Sequence, residues 1–451
     1  MNLYRLLAER AEQGRPVRVG LIGAGKFGAM FLAQAGRTPG LHVLGIADLA
    51  PDRARETCVG TGWAPERAAS KTFADALKSG GTCVVDDAAK LLAEPAIDVA
   101  IDATGDPAAG IAHALLAIAH KKHIVMVNVE ADVLAGPLLA RRARQAGVVY
   151  SMASGDQPAL ICEQVDWARA CGFDVVGAGK GTKYLPAYHA STPETVWGHY
   201  GLTPERAQLA GMNPKMFNSF LDGSKSGIEM AAVANATGLT PQPEGLNFPA
   251  CGVQDLARVC RPRDVGGQLG HKGAVEVVSS LERDGRPVVG DLRWGVWVSF
   301  EAPNDYVQRC FAEYGLITDD TGRYTAMWRP YHLIGLELGI SVASVALRGE
   351  ATGQATGFRG DVVATAKRDL KAGEMLDGEG GYTVWGKLMP AAASLARNGL
   401  PLGLTNNAKL KRAVKAGESL SWADVSVNES AQAVQVRREM EALFRQEGIG
   451  G

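Results

Sequence analysis

The chain has 451 residues, 46% of them hydrophobic, and carries 47 Lys+Arg against 48 Asp+Glu for a formal net charge of −1. Length and apolar content suffice for two to three cores, and the balanced charge removes any electrostatic reason to expect nucleic acid or a membrane surface as partner. The seven cysteines stand singly, with no Cys-x-x-Cys spacing, so they read as reduced thiols and offer neither a disulfide framework nor a zinc site. The N-terminus is charged (Arg5, Glu9, Arg10, Glu12), without a signal-peptide core, and no apolar run approaches the ~20 residues of a spanning helix. The expectation is a cytoplasmic protein.

In chain order, residues 1–15 read as a short amphipathic helix with Leu3, Leu6 and Leu7 on its apolar face. Residues 17–28 then form the most informative stretch. An apolar, β-branched run leads into Gly23-x-Gly25-x-x-Gly28, and a helical apolar pattern (Met30, Phe31, Leu32, Ala35) follows. That is the strand–turn–helix of a dinucleotide site. Gly23 permits the turn, Gly25 admits a pyrophosphate, Gly28 lets helix and strand touch, and the helix start with Lys26 and Phe27 presents free N–H groups to phosphate. A second strand, His42–Ala47, ends in Asp48, near the roughly 20-residue offset of the acid that holds the adenosine ribose. Asp48 favours NAD. Arg53 and Arg55, close behind it, could offset the repulsion of a 2′-phosphate, which keeps NADP open.

Alternation of strands (97–103, 123–127, 148–152) with helices (107–120, 133–145) predicts a parallel doubly wound sheet over residues 1–153. Thr104 and Gly105 follow a strand end and are placed near the nicotinamide carboxamide. Residues 58–95 fit poorly and read as an insertion. Residues 154–325 read as an α+β substrate domain, with a helix (158–170), a glycine-rich strand (174–181), a helix near 224–238 and strands at 274–279 and 294–300. Trp328–Leu347 reads as one long helix; a helix over 326–348 is expected to pack back on the first domain. Residues 352–440 contain an internal repeat, Ala366-Lys-Arg-Asp-Leu-Lys-Ala-Gly-Glu against Leu410-Lys-Arg-Ala-Val-Lys-Ala-Gly-Glu, predicting a small β-rich module. Residues 429–446 read as a charged, solvated tail helix.

The glycine motif, Asp102-Ala-Thr-Gly105 and Met126-Val-Asn-Val-Glu130 together resemble the nucleotide domain of homoserine dehydrogenases. The repeat resembles a SAF domain, with "Gly-Glu-x-Leu-x-Trp-x-Asp-Val" closing it at Gly417–Val425. The combination is similar to homoserine-dehydrogenase-like proteins with a C-terminal SAF domain, related to 1-deoxy-D-xylulose-5-phosphate reductoisomerase-like enzymes. The resemblance implies NADPH-dependent conversion of that sugar phosphate to 2-C-methyl-D-erythritol 4-phosphate, in isoprenoid precursor synthesis. It also implies assembly through the substrate domain as a homodimer.

Departures from homoserine dehydrogenases define the candidate site. Glu130 stands where their loop carries a lysine. In Asp222-Gly-Ser-Lys225-Ser-Gly-Ile-Glu229, Lys225 replaces their aspartate and Glu229 their lysine. A site for a zwitterionic amino acid would not survive three reversals, because each buried charge needs its opposite. Glu130, Lys225, Glu229, Lys180 and Asp222 are therefore the catalytic candidates, with Lys183, His271 and Lys272 for substrate. Carboxylates beside lysines suit rearrangement and reduction of a sugar phosphate or sugar acid. Carboxylates such as Glu130 and Asp132 could also hold magnesium or manganese, though no spacing requires a metal. Three other readings stay open: Lys225 and Glu229 as a plain i, i+4 surface pair, oxidation of homoserine or a related hydroxy acid, and a non-catalytic nucleotide sensor.

Overall fold

A computed structural model of the chain describes residues 2–448. Two compact units emerge: Met1–Leu160 with His332–Thr356, and Ile161–Tyr331 with Gly357–Gly451. The first is built on six parallel strands, β1 (Val17–Ile22), β2 (Leu41–Ala47), β3 (Cys83–Val85), β4 (Val99–Asp102), β5 (His123–Met126) and β6 (Tyr150–Met152). Their order is β3-β2-β1-β4-β5-β6, the doubly wound arrangement expected from the sequence. Val19, Leu21, Val43, Ile46, Val99, Ile101 and Val125 are buried, as strands covered on both faces by helices require.

The segment 58–95, expected to be an insertion, belongs to the sheet. It carries β3, whose Cys83 pairs with Gly45 of β2, flanked by helices Phe73–Ser79 and Ala88–Ala93. A three-residue strand shows too little pattern to be recognised. The single helix expected over Trp328–Leu347 is a second correction. Residues Tyr324–Arg329 are a strand, and the helix begins only at Gly339 and runs to Arg348. Pro330 and Gly335 (φ +79°) break the apolar run between them. Val342, Ala343 and Val345 of that helix share the core of the first unit with Leu3 and Leu7 of the N-terminal helix Leu3–Glu12.

In the second unit, β7 (Asp174–Thr182) lies between parallel β8 (Ala274–Ser279) and antiparallel β9 (Val296–Glu301), with β10 (Tyr324–Arg329) outermost. The glycines of β7 serve close packing. A Cβ on Gly179 would lie 1.7 Å from the Glu276 carbonyl oxygen, and one on Gly181 1.9 Å from that of Leu292. Helix Ser224–Thr237 packs on the antiparallel ribbon β11 (Gly360–Ala366) and β12 (Val384–Pro390). The sequence repeat is a structural repeat. Arg368 pairs with Glu374 as Arg412 does with Glu418, Gly373 and Gly417 have φ +85° and +79°, and Leu370 bridges Val414. Two short strands, β13 (Lys409–Leu410) and β14 (Val425–Ser426), close the module.

The C-terminal helix, Gln432–Gln446, is not a solvated tail. Val434, Met440 and Phe444 are buried, and so is Arg437, with no exposed surface. Its guanidinium donates to both Asp361 oxygens (3.1 and 2.6 Å) and to Glu441 (2.8 Å). High charge hid a buried face whose centre is itself charged. Removing one partner of such a group strands the others without solvent. Arg437→Ala should therefore lower stability by about 3–5 kcal/mol in urea titrations, whereas loss of under about 1 kcal/mol would mark the triad as inconsequential.

Candidate active site

Each motif glycine has its own structural reason. Gly23 adopts φ +91°, and a Cβ there would come 3.0 Å from the Ala103 carbonyl. A Cβ on Gly28 would sit 2.3 Å from the Gly23 carbonyl oxygen, so only glycine lets the helix Lys26–Ala35 press on the turn. Gly25 differs, since a Cβ there would meet nothing within 4 Å. The space it leaves open lies at the N-terminus of a ten-residue helix without a side-chain cap, where N–H groups and the helix dipole favour a pyrophosphate. Lys26 is exposed there, and Phe27 packs half-buried on the core.

A cleft of about 660 Å³ opens over this turn, lined among others by Gly23, Gly25, Asp48, Leu49, Arg53 and Thr104. Asp48, at the end of β2, is buried; one oxygen accepts the Ala24 N–H (2.9 Å) and the other the Ala50 N–H (2.9 Å). Arg53 donates to the same carboxylate at 3.2 Å, while Arg55 pairs with Asp52. Leu49 is 96% exposed within the cleft, an apolar surface that a purine could cover.

The opposite wall is organised by Asp102, which the sequence reading named only as part of a motif. Fully buried at the end of β4, it accepts the Thr104 N–H (3.0 Å) and hydroxyl (2.8 Å) and lies 2.6 Å from His113 Nδ1. Asn128 joins β5's loop to the same network, donating to the Asp106 carbonyl at 2.7 Å. Gly105 makes the turn beyond Thr104 with φ +73°. His113 lines the cleft and was missed. Its only sequence signal is a helix position that follows the "Asp-Ala-Thr-Gly" strand end.

Glu130 lies half-buried in the first turn of helix Val129–Gln145, where the dipole favours a carboxylate. Asp132, one residue further in, is buried; desolvation pushes its carboxyl up to about 7 against a smaller opposing pull from the Tyr150 hydroxyl. Burial, with Asp132 nearby, drives Tyr150 well above its ordinary range.

In the second unit, Glu229 on helix Ser224–Thr237 is ion-paired to Lys180 of β7, and both are buried. Lys225, half-buried on the same helix, is not its partner, so the i, i+4 surface pair does not form. Asp222 is already engaged on both oxygens. It accepts the Ser224 N–H (2.8 Å) and meets Lys367 at 2.7 Å, whose ammonium also donates to the carbonyls of Ser191 (2.8 Å) and Gly381 (2.7 Å). That arrangement ties the repeat module to the rest of the second unit. His189 stacks on Trp385 (3.9 Å), with its nitrogens at the Asp222 carbonyl (2.7 Å) and the Tyr184 hydroxyl (3.0 Å). Lys183 donates to the His199 carbonyl. Lys272 pairs with Glu301 (2.9 Å) and Asp174 (3.3 Å), and His271 lies beside it, its Nδ1 3.0 Å from the Lys272 carbonyl. Both sit at the start of β7, away from its Lys180–Thr182 end. Among the described residues no group of three or more His, Cys, Asp or Glu comes together to hold a metal ion, and no helix is long and apolar enough to cross a membrane.

Residues 155–338 match the family model described as oxidoreductase DRL, catalytic domain, which supports an oxidoreductase. No curated protein matches the chain. Among solved structures, it is similar to a probable dehydrogenase from Thermotoga maritima (14% identity over 74% of this chain and 90% of that one, TM-score 0.37). It is also similar to myo-inositol dehydrogenase from Lactobacillus casei in complex with NAD(H) and myo-inositol (18%, 40% and 50%, 0.29). A third is an oxidoreductase from Agrobacterium radiobacter in complex with NAD+, L-tartaric acid and magnesium (16%, 37% and 44%, 0.25). The chain spans half the length of the second and less than half of the third. These values lie below the level at which a ligand transfers from one protein to another.

The raised Asp132 pKa fixes a sign. Between about 4 and 7 the folded state holds a proton that the unfolded state has released, so this group's contribution to stability is greatest in acid and falls as pH rises to 7. The fall attributable to this group amounts to a few kcal/mol at most, by roughly 1.4 kcal/mol per unit. Asp132→Asn should flatten that part of the pH–stability curve and stabilise the protein at pH 8; an unchanged slope would contradict the assignment.

Proposed function

We propose that the chain is an NAD-dependent oxidoreductase that interconverts a carbonyl and a carbinol on a small hydroxylated metabolite. The observation that carries the proposal is the cleft over Gly23–Gly28, with open space at Gly25 and the Asp48 carboxylate at the end of β2. The bound nicotinamide would supply or accept the hydride. The residues fit the group, since the helix start would meet the pyrophosphate, Asp48 the ribose hydroxyls and Leu49 the adenine.

NAD is favoured over NADP by charge. The end of the cleft beyond β2 and β3 carries Asp48, Asp86 and Asp87. Its arginine, Arg53, is already engaged by Asp48, and Asp86 is held by Lys90 at 2.8 Å. A 2′-phosphate would meet more negative charge than it could neutralise.

For the substrate, the buried Lys180–Glu229 pair offers complementary roles. Lys180 can polarise a carbonyl oxygen and stabilise the oxyanion, and Glu229 can take a hydroxyl proton. Reductoisomerisation of 1-deoxy-D-xylulose 5-phosphate is the specific reaction to test first. It is supported by the sequence resemblance alone, and the match to the DRL catalytic domain supports only the broader oxidoreductase class. Homoserine is disfavoured, because Glu229 holds a lysine where an amino-alcohol site needs the opposite arrangement.

With that sugar phosphate, or with polyols and sugar acids screened in parallel, turnover should be followed at the nicotinamide absorbance. NADH should outperform NADPH by about tenfold or more, and a preference for NADPH would overturn the cofactor assignment. Lys180→Met and Glu229→Gln should each lower kcat by about 10²–10³, with the affinity for NADH changed less than about twofold. Unaltered kcat would remove the pair from the chemistry.

A further inference from the structure

We infer that Lys183 and Arg293 form an oxyanion subsite in the substrate domain, which takes a phosphate or carboxylate carried by the substrate. The inference rests on the oxidoreductase reading and specifies its substrate as anionic. Gly181 sets the geometry. Because it lacks a Cβ, the Leu292–Arg293 backbone comes against the end of β7, the Leu292 carbonyl oxygen 1.9 Å and the Arg293 nitrogen 3.0 Å from where that Cβ would stand, and the Gly181 N–H donates to the Gly295 carbonyl at 3.0 Å. Arg293 is thus delivered beside Lys183, two residues beyond Gly181.

Both cations flank one ring. The Lys183 ammonium lies 5.7 Å, and the Arg293 guanidinium carbon 5.6 Å, from the centroid of Tyr200. Arg293 also lies 4.7 Å over Trp294, which is 60% exposed. Among the described residues neither cation has a carboxylate within ion-pair range. The nearby acids are committed elsewhere. Asp291 accepts the Arg293 backbone N–H at 2.9 Å, and Asp222, which bears on Tyr200, is paired with Lys367.

The contrast within the same unit is informative. Buried Lys180, Lys367, Arg261 and Arg437 all have carboxylate partners. Lys183, half-buried, has instead a second cation, and burial with the Arg293 charge lowers its pKa. Desolvation, and then the Lys183 charge, likewise lowers His199. A folded chain that keeps two partly desolvated cations together without a counter-charge holds a site whose repulsion an oxyanion would relieve. The planar fork of arginine with the point charge of lysine suits a phosphate or carboxylate.

The test uses the intact chain and two probes, inorganic phosphate and malonate, titrated calorimetrically at low ionic strength, with NADH titrated separately. Saturable binding of either probe is expected, weakened roughly tenfold or more in Lys183→Met and in Arg293→Met. Arg293→Lys should recover part of it, and circular dichroism of each variant should match the parent. Phosphate alone would assign a phosphate ester, and malonate alone a carboxylate. No saturable binding of either probe to the parent, or equal binding by both methionine variants, overturns the subsite whatever the NADH titration shows. NADH failing to bind while the probes do would overturn the oxidoreductase reading and leave the subsite standing.

Discussion

Contact of backbone with backbone, possible only where a side chain is missing, is the constraint on which both halves of this molecule rest. At Gly28 a methyl group would lie 2.3 Å from the Gly23 carbonyl oxygen, so the helix Lys26–Ala35 could not close on the turn and its N–H groups would not face the cleft. At Gly179 and Gly181 the same exclusion draws the Glu276 and Leu292 carbonyls against β7. The first contact sets the helix start beneath the open space at Gly25. The second positions Lys180, Lys183 and Arg293 around one strand end. Function here follows from what glycine leaves out at these few positions, and the apolar cores hold the arrangement in place.

Charge is distributed on the same logic. Buried cations are matched to carboxylates almost throughout, as desolvation demands. Asp222–Lys367 and Arg437–Asp361–Glu441 anchor the repeat module and its terminal helix to the rest of their unit. Departures from the rule include Asp132, buried and raised to about 7, and the Lys183–Arg293 pair around Tyr200. Asp132 sits in a core, where it can only cost stability when charged. The cationic pair sits by an exposed tryptophan, where a ligand can reach it.

The doubly wound sheet was legible because β1, its glycine turn and the following helix carry local signals that agree with one another. Gly23 and Gly25 lie in the turn after β1, Gly28 in the helix that follows, and Asp48 just past β2. The edge strand β3 was not legible, since three residues carry no periodicity, and the break at Pro330–Gly335 was hidden by apolar residues on either side. In the candidate site, the i, i+4 rule put Lys225 and Glu229 together, yet the true partner, Lys180, comes from a strand 49 residues away in sequence. Lys367, His189, His113 and Arg293 acquire meaning only through tertiary contacts, which no local pattern encodes. Arg437 was misread for a related reason, because charge in sequence does not report whether a counter-charge waits inside the fold.

The central claim is that the glycine turn cradles a nicotinamide dinucleotide, and calorimetric titration of NADH into the intact chain, beside Gly25→Val, tests it most directly. The valine would project into the open space at Gly25 without disturbing neighbours. Binding by the parent should be saturable and micromolar to sub-millimolar, and weakened roughly a hundredfold or more in the variant at unchanged melting temperature. Equal binding by both proteins, or none by the parent, would contradict the account.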